Sequence, residues 1–231
     1  MNNRKSFADH VIAFNQSLSY TDRLPEGFGV MNPFKEEPAV NELMQQFYRK
    51  FYDDHRARKF LIGINPGRHG AGVTGIPFTD TKRLSQLCGI PTELKSTHEV
   101  SAQFVYDMIE AYGGVNTFYA DVYIHSLFPL ALVRLNDKGT WVNCNYYDDK
   151  ALAAQLADFM VKQLKEQICF GIDTQTAYIL GKKNAVFFEK INRREKLFKK
   201  TVILPHPRYV QQYKSAHRAE YIKMYIEALK K

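Results

Sequence analysis

Apolar residues recur along this chain at spacings of three and four, the pattern of helices that pack one face against a core. Five segments show this pattern, and their apolar positions are Phe7, Val11, Phe14 and Leu18; Val40, Leu43, Met44, Phe47 and Phe51; Phe104, Val105, Met108, Ile109 and Tyr112; Leu152, Leu156, Phe159, Met160 and Leu164; and Ile222, Ile226 and Leu229. A further helix, rich in basic residues, is predicted over 184–197. Ser96-Thr97-His98-Glu99 has the form of a capping box and predicts the start of the third helix, which Gly113-Gly114 ends.

Four short apolar runs predict buried strands between these helices. They cover residues 60–64, 118–132 with a loop at Pro129, 177–180 and 201–204. Residues 25–38 are rich in proline and glycine and predict a loop, and residues 136–149 are polar and turn-like. Helices that alternate with short strands predict an α/β fold in which a parallel sheet is covered on both faces.

The first predicted strand runs into an unusual loop within residues 59–80. Asn65-Pro66-Gly67 must end the strand, because proline lacks an amide donor and forces the residue before it towards extended geometry. The glycines that follow allow a close backbone approach to a ligand, and the loop ends in Pro77-Phe78. A plain strand followed by a flexible turn is the alternative interpretation of this stretch.

Two other strands also end in polar loops, at Ser126-Leu127-Phe128-Pro129 and at His206-Pro207-Arg208. The carboxyl ends of parallel strands lie on one edge of a sheet, where α/β proteins build their sites. Asn65, Ser126 and His206 are therefore predicted to converge, although they are far apart in the sequence.

Length and composition favour one large domain spanning residues 1–231, with residues 1–58 supplying N-terminal helices that pack on its core. The chain has 231 residues, of which 45% are hydrophobic. No apolar stretch is long enough to cross a membrane, and Met1 to Ser19 lack the apolar core of a signal peptide. Cys88, Cys144 and Cys169 fit neither a disulfide framework nor a zinc or iron–sulfur site. We therefore expect a cytoplasmic protein without metal or cofactor.

Positive charge is concentrated near the C-terminus. The chain carries a net charge of +8, yet residues 1–180 hold 18 Lys/Arg against 20 Asp/Glu, and residues 181–231 hold 14 against 4. A one-sided basic patch is typical of a protein that binds a phosphate backbone. A solvated, lysine-rich face is the alternative.

Together these motifs resemble the uracil-DNA glycosylase superfamily, and most closely its single-strand-selective monofunctional (SMUG-like) branch. The resemblance rests on Gly63-Ile64-Asn65-Pro66-Gly67 with Gly70, Thr74-Gly75 and Pro77-Phe78, supported by Phe128-Pro129-Leu130 and His206-Pro207-Arg208. It spans about residues 60–225. It implies a three-layer α/β/α fold with a central four-stranded parallel sheet, and a monofunctional DNA glycosylase that acts as a monomer in base-excision repair.

The resemblance also implies roles for single residues. Asn65 would position the attacking water, and His206 would stabilise the departing base. Gly63, Ile64, Gly67, Phe78 and Ser126 would surround the flipped base, with Phe78 stacking on it. The DNA contacts would come from Arg208, Tyr209, Lys214 and Arg218, and Arg208 with Tyr209 would fill the gap that the base leaves.

Two departures from the family pattern affect these expectations. Ser126 stands where the family has an asparagine, which predicts that deaminated purines are accepted beside uracil. The histidine motif is shorter than in the family, so the register of Arg208 is open. The alternatives are a catalytically inactive nucleic-acid-binding module of the same fold and a phosphate-handling enzyme. The glycine-rich loop lacks the Gly-Lys-Ser/Thr ending of a P-loop, which counts against the phosphate-handling enzyme.

Overall fold

Helices and strands alternate along the chain in the computed structural model, which describes residues 4–68 and 70–231. The helices are α1 (Phe7–Ser17), α2 (Pro33–Glu36), α3 (Pro38–Tyr52), α4 (Ala71–Thr74), α5 (Thr81–Gln86), α6 (Val100–Tyr112), α7 (Gly114–Asp121), α8 (Lys150–Ile168), α9 (Lys182–Glu195), α10 (Pro207–Tyr213) and α11 (Arg218–Leu229). The strands are β1 (Phe28–Met31), β2 (Arg58–Gly63), β3 (Val122–Ser126), β4 (Ala131–Leu135), β5 (Trp141–Asn143), β6 (Ile172–Leu180) and β7 (Lys200–Leu204). His69, within the glycine-rich stretch, and residues 1–3, within the segment searched for a signal peptide, lie outside the described ranges.

A four-stranded parallel sheet in the order β3-β2-β6-β7 forms the centre of the fold. Strand β2 lies between β3 and β6, and its last residue, Gly63, is in register with Ser126 at the end of β3. Leu180 at the end of β6 is in register with Leu204 at the end of β7. The α/β fold with a four-stranded parallel sheet is therefore confirmed, and β6 is longer than the predicted 177–180.

Strand residues alternate between two helix-covered faces of this sheet. The Arg58 guanidinium lies 4.6 Å from the ring of Phe7 in α1 and 4.7 Å from the ring of Tyr52 in α3. On the opposite face, the Lys59 ammonium donates to the carbonyl of Leu229 in α11 at 2.5 Å. The alternation places Gly63 on the second face, together with α6, α10 and α11.

A second, antiparallel sheet in the order β1-β4-β5 was not predicted from the sequence. Residues 25–38 were predicted as a loop and contain β1 and α2, whereas the polar residues 136–149 contain β5. Pairing joins β1 to β4 and β4 to β5. This sheet carries segment 141–146 towards the carboxyl edge of the central sheet.

The predicted strand over 118–132 is wrong at both ends. Phe118 lies in helix α7, and only Val122–Ser126 pair in the central sheet, whereas Ala131 starts a strand of the small sheet. The chain re-enters a helix at Gly114 because Gly113 and Gly114 both take positive φ, of 127° and 84°. A continuous apolar run does not distinguish buried helix from buried strand.

The predicted capping box at 96–99 is also wrong. Helix α6 begins at Val100, and its N-cap residue, Glu99, makes no side-chain capping bond. The Glu99 amide instead donates to Asp80 Oδ2 at 2.9 Å, and the Thr97 amide donates to Thr81 Oγ1 at 2.8 Å. Residues 97–99 therefore pack against the start of α5.

The basic helix and the last helix lie where they were predicted. Helix α9 spans Lys182–Glu195, and α11 buries Leu229 while Ile222 and Ile226 pack half-buried against the core. Within the described ranges, we find no helix with both the length and the apolarity needed to cross a membrane.

Candidate active site

Gly63 and Ser126 meet at the carboxyl edge of the central sheet and leave a narrow space beside them. A Cβ on Gly63 would lie 3.3 Å from Ser126 Oγ and 3.4 Å from Cε2 of Phe78. A side chain at position 63 would thus press on both groups, so glycine keeps this space open. Ser126 itself is buried, with 4% of its surface exposed.

The Phe78 ring is held beside this space by an unusual backbone. Phe78 has φ of 53°, a left-handed conformation that non-glycine residues seldom adopt and that clusters at functional sites. The buried Thr74 hydroxyl stabilises the loop, since it donates to the Thr79 carbonyl at 2.6 Å and accepts from the Ile76 amide at 3.2 Å. The ring centroid of Phe78 lies 6.0 Å from that of His206.

His206 follows β7 and caps helix α10 with its side chain. The Arg208 amide donates to His206 Nδ1 at 3.1 Å, which leaves the proton of the neutral ring on Nε2. Burial, together with the Arg208 guanidinium, lowers the pKa of His206 to about 4. At neutral pH the side chain is therefore an uncharged imidazole with one N–H to donate.

Asn65 is fixed by the backbone of segment 141–146. Its Nδ2 donates to the carbonyls of Cys144 at 3.1 Å and Pro66 at 3.3 Å, and its Oδ1 accepts from the Tyr146 amide at 3.2 Å. An amide oxygen has two lone pairs, so Oδ1 retains one acceptor position. The side chain is suited to accept a hydrogen from a water molecule in a fixed direction.

Ile64 and Gly67, the other residues predicted to surround the base, serve the backbone of the loop. The Ile64 carbonyl accepts from the Phe128 amide at 3.1 Å, and the Gly67 carbonyl accepts from the amides of Gly70 and Gly72. A Cβ on Gly67 would face Asn143 Nδ2 at 3.9 Å. The structure thus joins Gly63, Phe78, Ser126 and His206 in one cluster, with Asn65 held at its side by segment 141–146.

Glu99 contacts the glycine-rich loop, a role that the sequence did not reveal. Its Oε2 lies 2.0 Å from the place of a Cβ on Gly70, so the carboxylate rests on the loop backbone. That oxygen is buried and has no hydrogen-bond partner among the described residues. Burial and the Asp80 carboxylate raise the pKa of Glu99 to about 7, although the guanidiniums of Arg208 and Arg83 favour its ionised form.

Two other contributions to the site were missed from the sequence. Gly181, at the end of β6, takes φ of 94°, which favours glycine, and a Cβ at this position would be in van der Waals contact with Cβ of His206 at 3.5 Å, so the turn passes directly beside the imidazole. Segment 141–146 holds Asn65. In the same segment, Asn143 Oδ1 accepts a hydrogen bond from the Arg68 amide at 3.1 Å. Gly181 closes a predicted strand and could have been suspected, whereas nothing in the polar segment indicates its contacts.

The residues predicted to bind DNA lie on or after α10. Arg208, Tyr209 and Lys214 are exposed, whereas Arg218 is half-buried and pairs with Asp107 at 2.9 Å. The other basic residues of the C-terminal segment are divided between the two edges of the sheet, since Lys182 and Lys183 begin α9 directly after β6, at the carboxyl edge. Arg193, Lys196 and Lys200 lie at the amino edge of the sheet, opposite His206, because α9 runs back from the carboxyl end of β6 to the start of β7.

The fold and the position of the cluster place the chain among α/β enzymes whose sites lie at the carboxyl ends of parallel strands. It belongs to the uracil DNA glycosylase superfamily, whose sequence profile matches residues 49–230. The chain is therefore a DNA glycosylase, a hydrolase that acts on N-glycosidic bonds.

A solved structure of similar sequence has the same fold. The crystal structure of wild-type SMUG2 from Pedobacter heparinus is 46% identical to the chain, covers 97% of both chains and gives a TM-score of 0.95. This match confirms the predicted SMUG-like resemblance. No curated protein sequence matches the chain significantly.

Proposed function

We propose that this DNA glycosylase excises uracil from DNA in base-excision repair, with water held by Asn65 and the departing base stabilised by His206. The observation that carries the proposal is the imidazole of His206, held beside Phe78 by the hydrogen bond that the Arg208 amide donates to its Nδ1. The similarity to SMUG2 of Pedobacter heparinus supports it.

The flipped base stacks on Phe78 and enters the space that Gly63 leaves open beside Ser126. A base must leave the stack before its glycosidic bond can be reached, and aromatic rings commonly hold it once flipped. A Cβ on Gly63 would contact Ser126 Oγ at 3.3 Å and Phe78 Cε2 at 3.4 Å, so glycine at this position lets the base approach both side chains.

Cleavage of the bond places negative charge on the base and positive charge on the sugar, as in other oxocarbenium-like glycosyl transfers. His206 donates from Nε2 to a base oxygen as the charge develops there, and a donor that is already oriented costs little reorganisation. The lone pair left on Asn65 Oδ1 orients the water that attacks the sugar carbon. Since an amide is a poor base, the reaction depends chiefly on stabilisation of the leaving base.

Ser126 widens the range of bases beyond uracil. A serine hydroxyl is shorter than the family's asparagine, rotates, and both donates and accepts hydrogen bonds. We propose that at least one deaminated purine, xanthine or hypoxanthine, is also excised. We also propose that the enzyme acts as a monomer.

Single-turnover excision of uracil from an oligonucleotide, followed by alkaline cleavage of abasic sites, tests the proposal. We expect wild type to give strand cleavage and Asn65→Ala to slow it about a hundredfold or more, since lost positioning has effects of that order. Asn116→Ala, which changes an exposed asparagine at the amino edge, is the matched control and should excise normally.

DNA binding without any cleavage would instead identify an inactive module of the same fold. Thermal unfolding of Asn65→Ala must be followed in parallel, because Asn65 also holds segment 141–146 to the loop. Wild-type excision rates in a stably folded Asn65→Ala would remove the proposed role of this residue.

A further inference from the structure

A chain of buried hydroxyl groups begins at Thr79, the residue that follows Phe78. Thr79 Oγ1 lies 2.9 Å from the hydroxyl of Tyr106 in α6, and the Tyr119 hydroxyl in α7 donates to the Tyr106 oxygen at 3.2 Å. Cys88 Sγ lies 3.1 Å from the same oxygen. Thr79 has no exposed surface, and the other three residues are each at most 4% exposed. The chemistry proposed above uses none of these groups, so their arrangement requires another explanation.

The hydrogen bonds of this chain run towards the loop. The Thr79 hydroxyl donates to the carbonyl of Pro77 at 3.1 Å, and Pro77 is buried, where a carbonyl needs a donor. Because the Thr79 hydroxyl has a single proton, it accepts from the Tyr106 hydroxyl instead of donating to it. Burial raises the pKa of Tyr106 well above its ordinary value, so this donor keeps its proton throughout the neutral range. Tyr106 therefore directs the Thr79 proton onto the Pro77 carbonyl.

Thr79 fixes the two peptide groups on either side of Phe78. Its hydroxyl holds the carbonyl of the Pro77–Phe78 peptide. Its amide belongs to the next peptide along the chain and donates to the carbonyl of Ile76 at 3.2 Å. The orientations of these two planes determine φ and ψ of Phe78. Phe78 has φ of 53°, a conformation that a bulky residue keeps only when its surroundings impose it. Thr79 thus supplies the constraint that holds the Phe78 ring beside His206.

We propose that Thr79 is a positioning residue for base excision, which holds the Phe78 ring where it stacks on the flipped base and is itself oriented by Tyr106. The inference rests on the proposed function, because Phe78 is the ring that receives the base. Thr79 has no exposed surface and cannot touch DNA, so loss of its hydroxyl should act only through Phe78. DNA affinity, which depends on the exposed cations on and after α10, should be unaffected.

The test is a double-mutant cycle between positions 78 and 79, measured as single-turnover excision of uracil. Thr79→Val replaces the hydroxyl by a methyl group of similar size and should slow excision about tenfold, since small displacements of a positioning group have effects of that order or larger. Phe78→Ala should slow excision by about tenfold or more through loss of the stack. Thr79→Val added to Phe78→Ala should slow it further by less than about twofold, because the ring that Thr79 positions is already absent.

The conservative variant and the control separate positioning from packing. Thr79→Ser keeps the hydroxyl and should excise uracil like wild type, as should Thr117→Val, which changes an exposed threonine of α7. All variants should bind a uracil-free duplex with wild-type affinity, and thermal unfolding is followed in parallel. Tyr106→Phe frees the Thr79 hydroxyl to turn away from Pro77, so it should slow excision in the wild-type background and not in Phe78→Ala. It provides the same test if Thr79→Val does not fold.

A wild-type rate in folded Thr79→Val, or equal slowing by Thr79→Val in the two backgrounds, would overturn the inference and leave the proposed function in place. Slow excision by Thr79→Ser would show that the methyl group, and not the hydroxyl, matters, which also overturns it. An absence of uracil excision in wild type, or wild-type excision by Phe78→Ala, would refute the proposed function and the inference with it. The two kinds of failure are therefore distinguished by the wild-type and Phe78→Ala rates.

Discussion

His206 combines a fixed tautomer with an uncharged ring, and this combination sets its pH dependence. Its folded-state pKa of about 4 lies below the ordinary value of 6.5, so the ring stays neutral until the solution is well below pH 5. We expect the titration of His206 to cause no change in the excision rate between pH 5.5 and 8. The rate should fall as the pH approaches 4. His206→Ala should lower the rate about a hundredfold across the range.

The measurement is single-turnover excision of uracil against pH for wild type and His206→Ala. A wild-type rate that rises or falls through pH 6.5, with the transition absent in His206→Ala, would contradict a neutral donor. The depressed pKa also affects stability: between pH 6.5 and 4 the unfolded chain takes up a proton that the folded chain excludes, so this residue makes folding less favourable as the pH falls.

Ser126 is the residue at which base selectivity should change. An asparagine at this position offers a donor and an acceptor in fixed geometry, which reads a uracil edge and leaves less space than serine does. We expect Ser126→Asn to retain uracil excision within about tenfold and to lose activity on xanthine or hypoxanthine by a larger factor, because pocket contacts of this kind discriminate by that order.

Rates on uracil, xanthine and hypoxanthine in the same oligonucleotide give the comparison, with Ser126→Ala as the control for loss of the hydroxyl alone. If wild type and Ser126→Asn rank the three bases identically, Ser126 does not contact the base edge.

At the scale of elements, the parallel sheet was predictable and its surroundings were not. Alternating apolar helices and strands determine which strand ends share an edge, so the shared edge of Asn65, Ser126 and His206 followed from the sequence. The contacts of Glu99 on Gly70 and of segment 141–146 on Asn65 join segments that are 29 or more residues apart. Local patterns such as the Ser96–Glu99 capping form carry no information about such packing, and tertiary contacts overrode them.

The junction between the start of α6 and the glycine-rich loop makes stability depend on the charge of Glu99. Its pKa is about 7 when folded against an ordinary 4.5, so the folded chain holds a proton that the unfolded chain has lost, and stability falls as the pH rises from 4.5 through 7. Glu99→Gln removes this loss. We therefore compare the unfolding temperature of Glu99→Gln with that of wild type at each pH. The difference, variant minus wild type, should be roughly 4 °C larger at pH 8 than at pH 5.5.

Thermal unfolding of both proteins at the two pH values gives this difference, and contributions from His206 cancel in it. Glu110→Gln, at an exposed glutamate of the same helix, is the control and should show no such change. A Glu99→Gln difference that is the same at both pH values would mean that the carboxylate stays ionised on the loop.

At the scale of the whole molecule, charge counted along the sequence did not locate the basic surface. The fifty-one C-terminal residues carry the excess, but α9 crosses the sheet from its carboxyl to its amino edge. Basic residues that are neighbours in sequence therefore end on opposite sides of the protein. Of these basic residues, Lys182 and Lys183 at the start of α9 and Arg208, Lys214 and Arg218 on or after α10 lie at the carboxyl edge with the site, and Arg218 is already paired with Asp107.

This division of charge predicts which positive side chains determine the salt dependence of DNA binding. Each phosphate contact adds roughly 0.9 to the slope of log affinity against log salt for duplex DNA. Replacing Arg208, Lys214 and Arg218 together by glutamine should lower the magnitude of the slope by about 2, since the ion pair with Asp107 reduces what Arg218 contributes.

The matched variant replaces Arg193, Lys196 and Lys200, three cations from the same basic segment at the amino edge, and should leave the slope unchanged. Both are measured as binding of a uracil-free duplex at several salt concentrations, which keeps catalysis out of the comparison. An equal decrease in the two variants would show that long-range attraction by net charge, rather than contact at α10, produces the slope, and a decrease confined to the amino-edge variant would move the DNA-binding surface to the opposite end of the sheet.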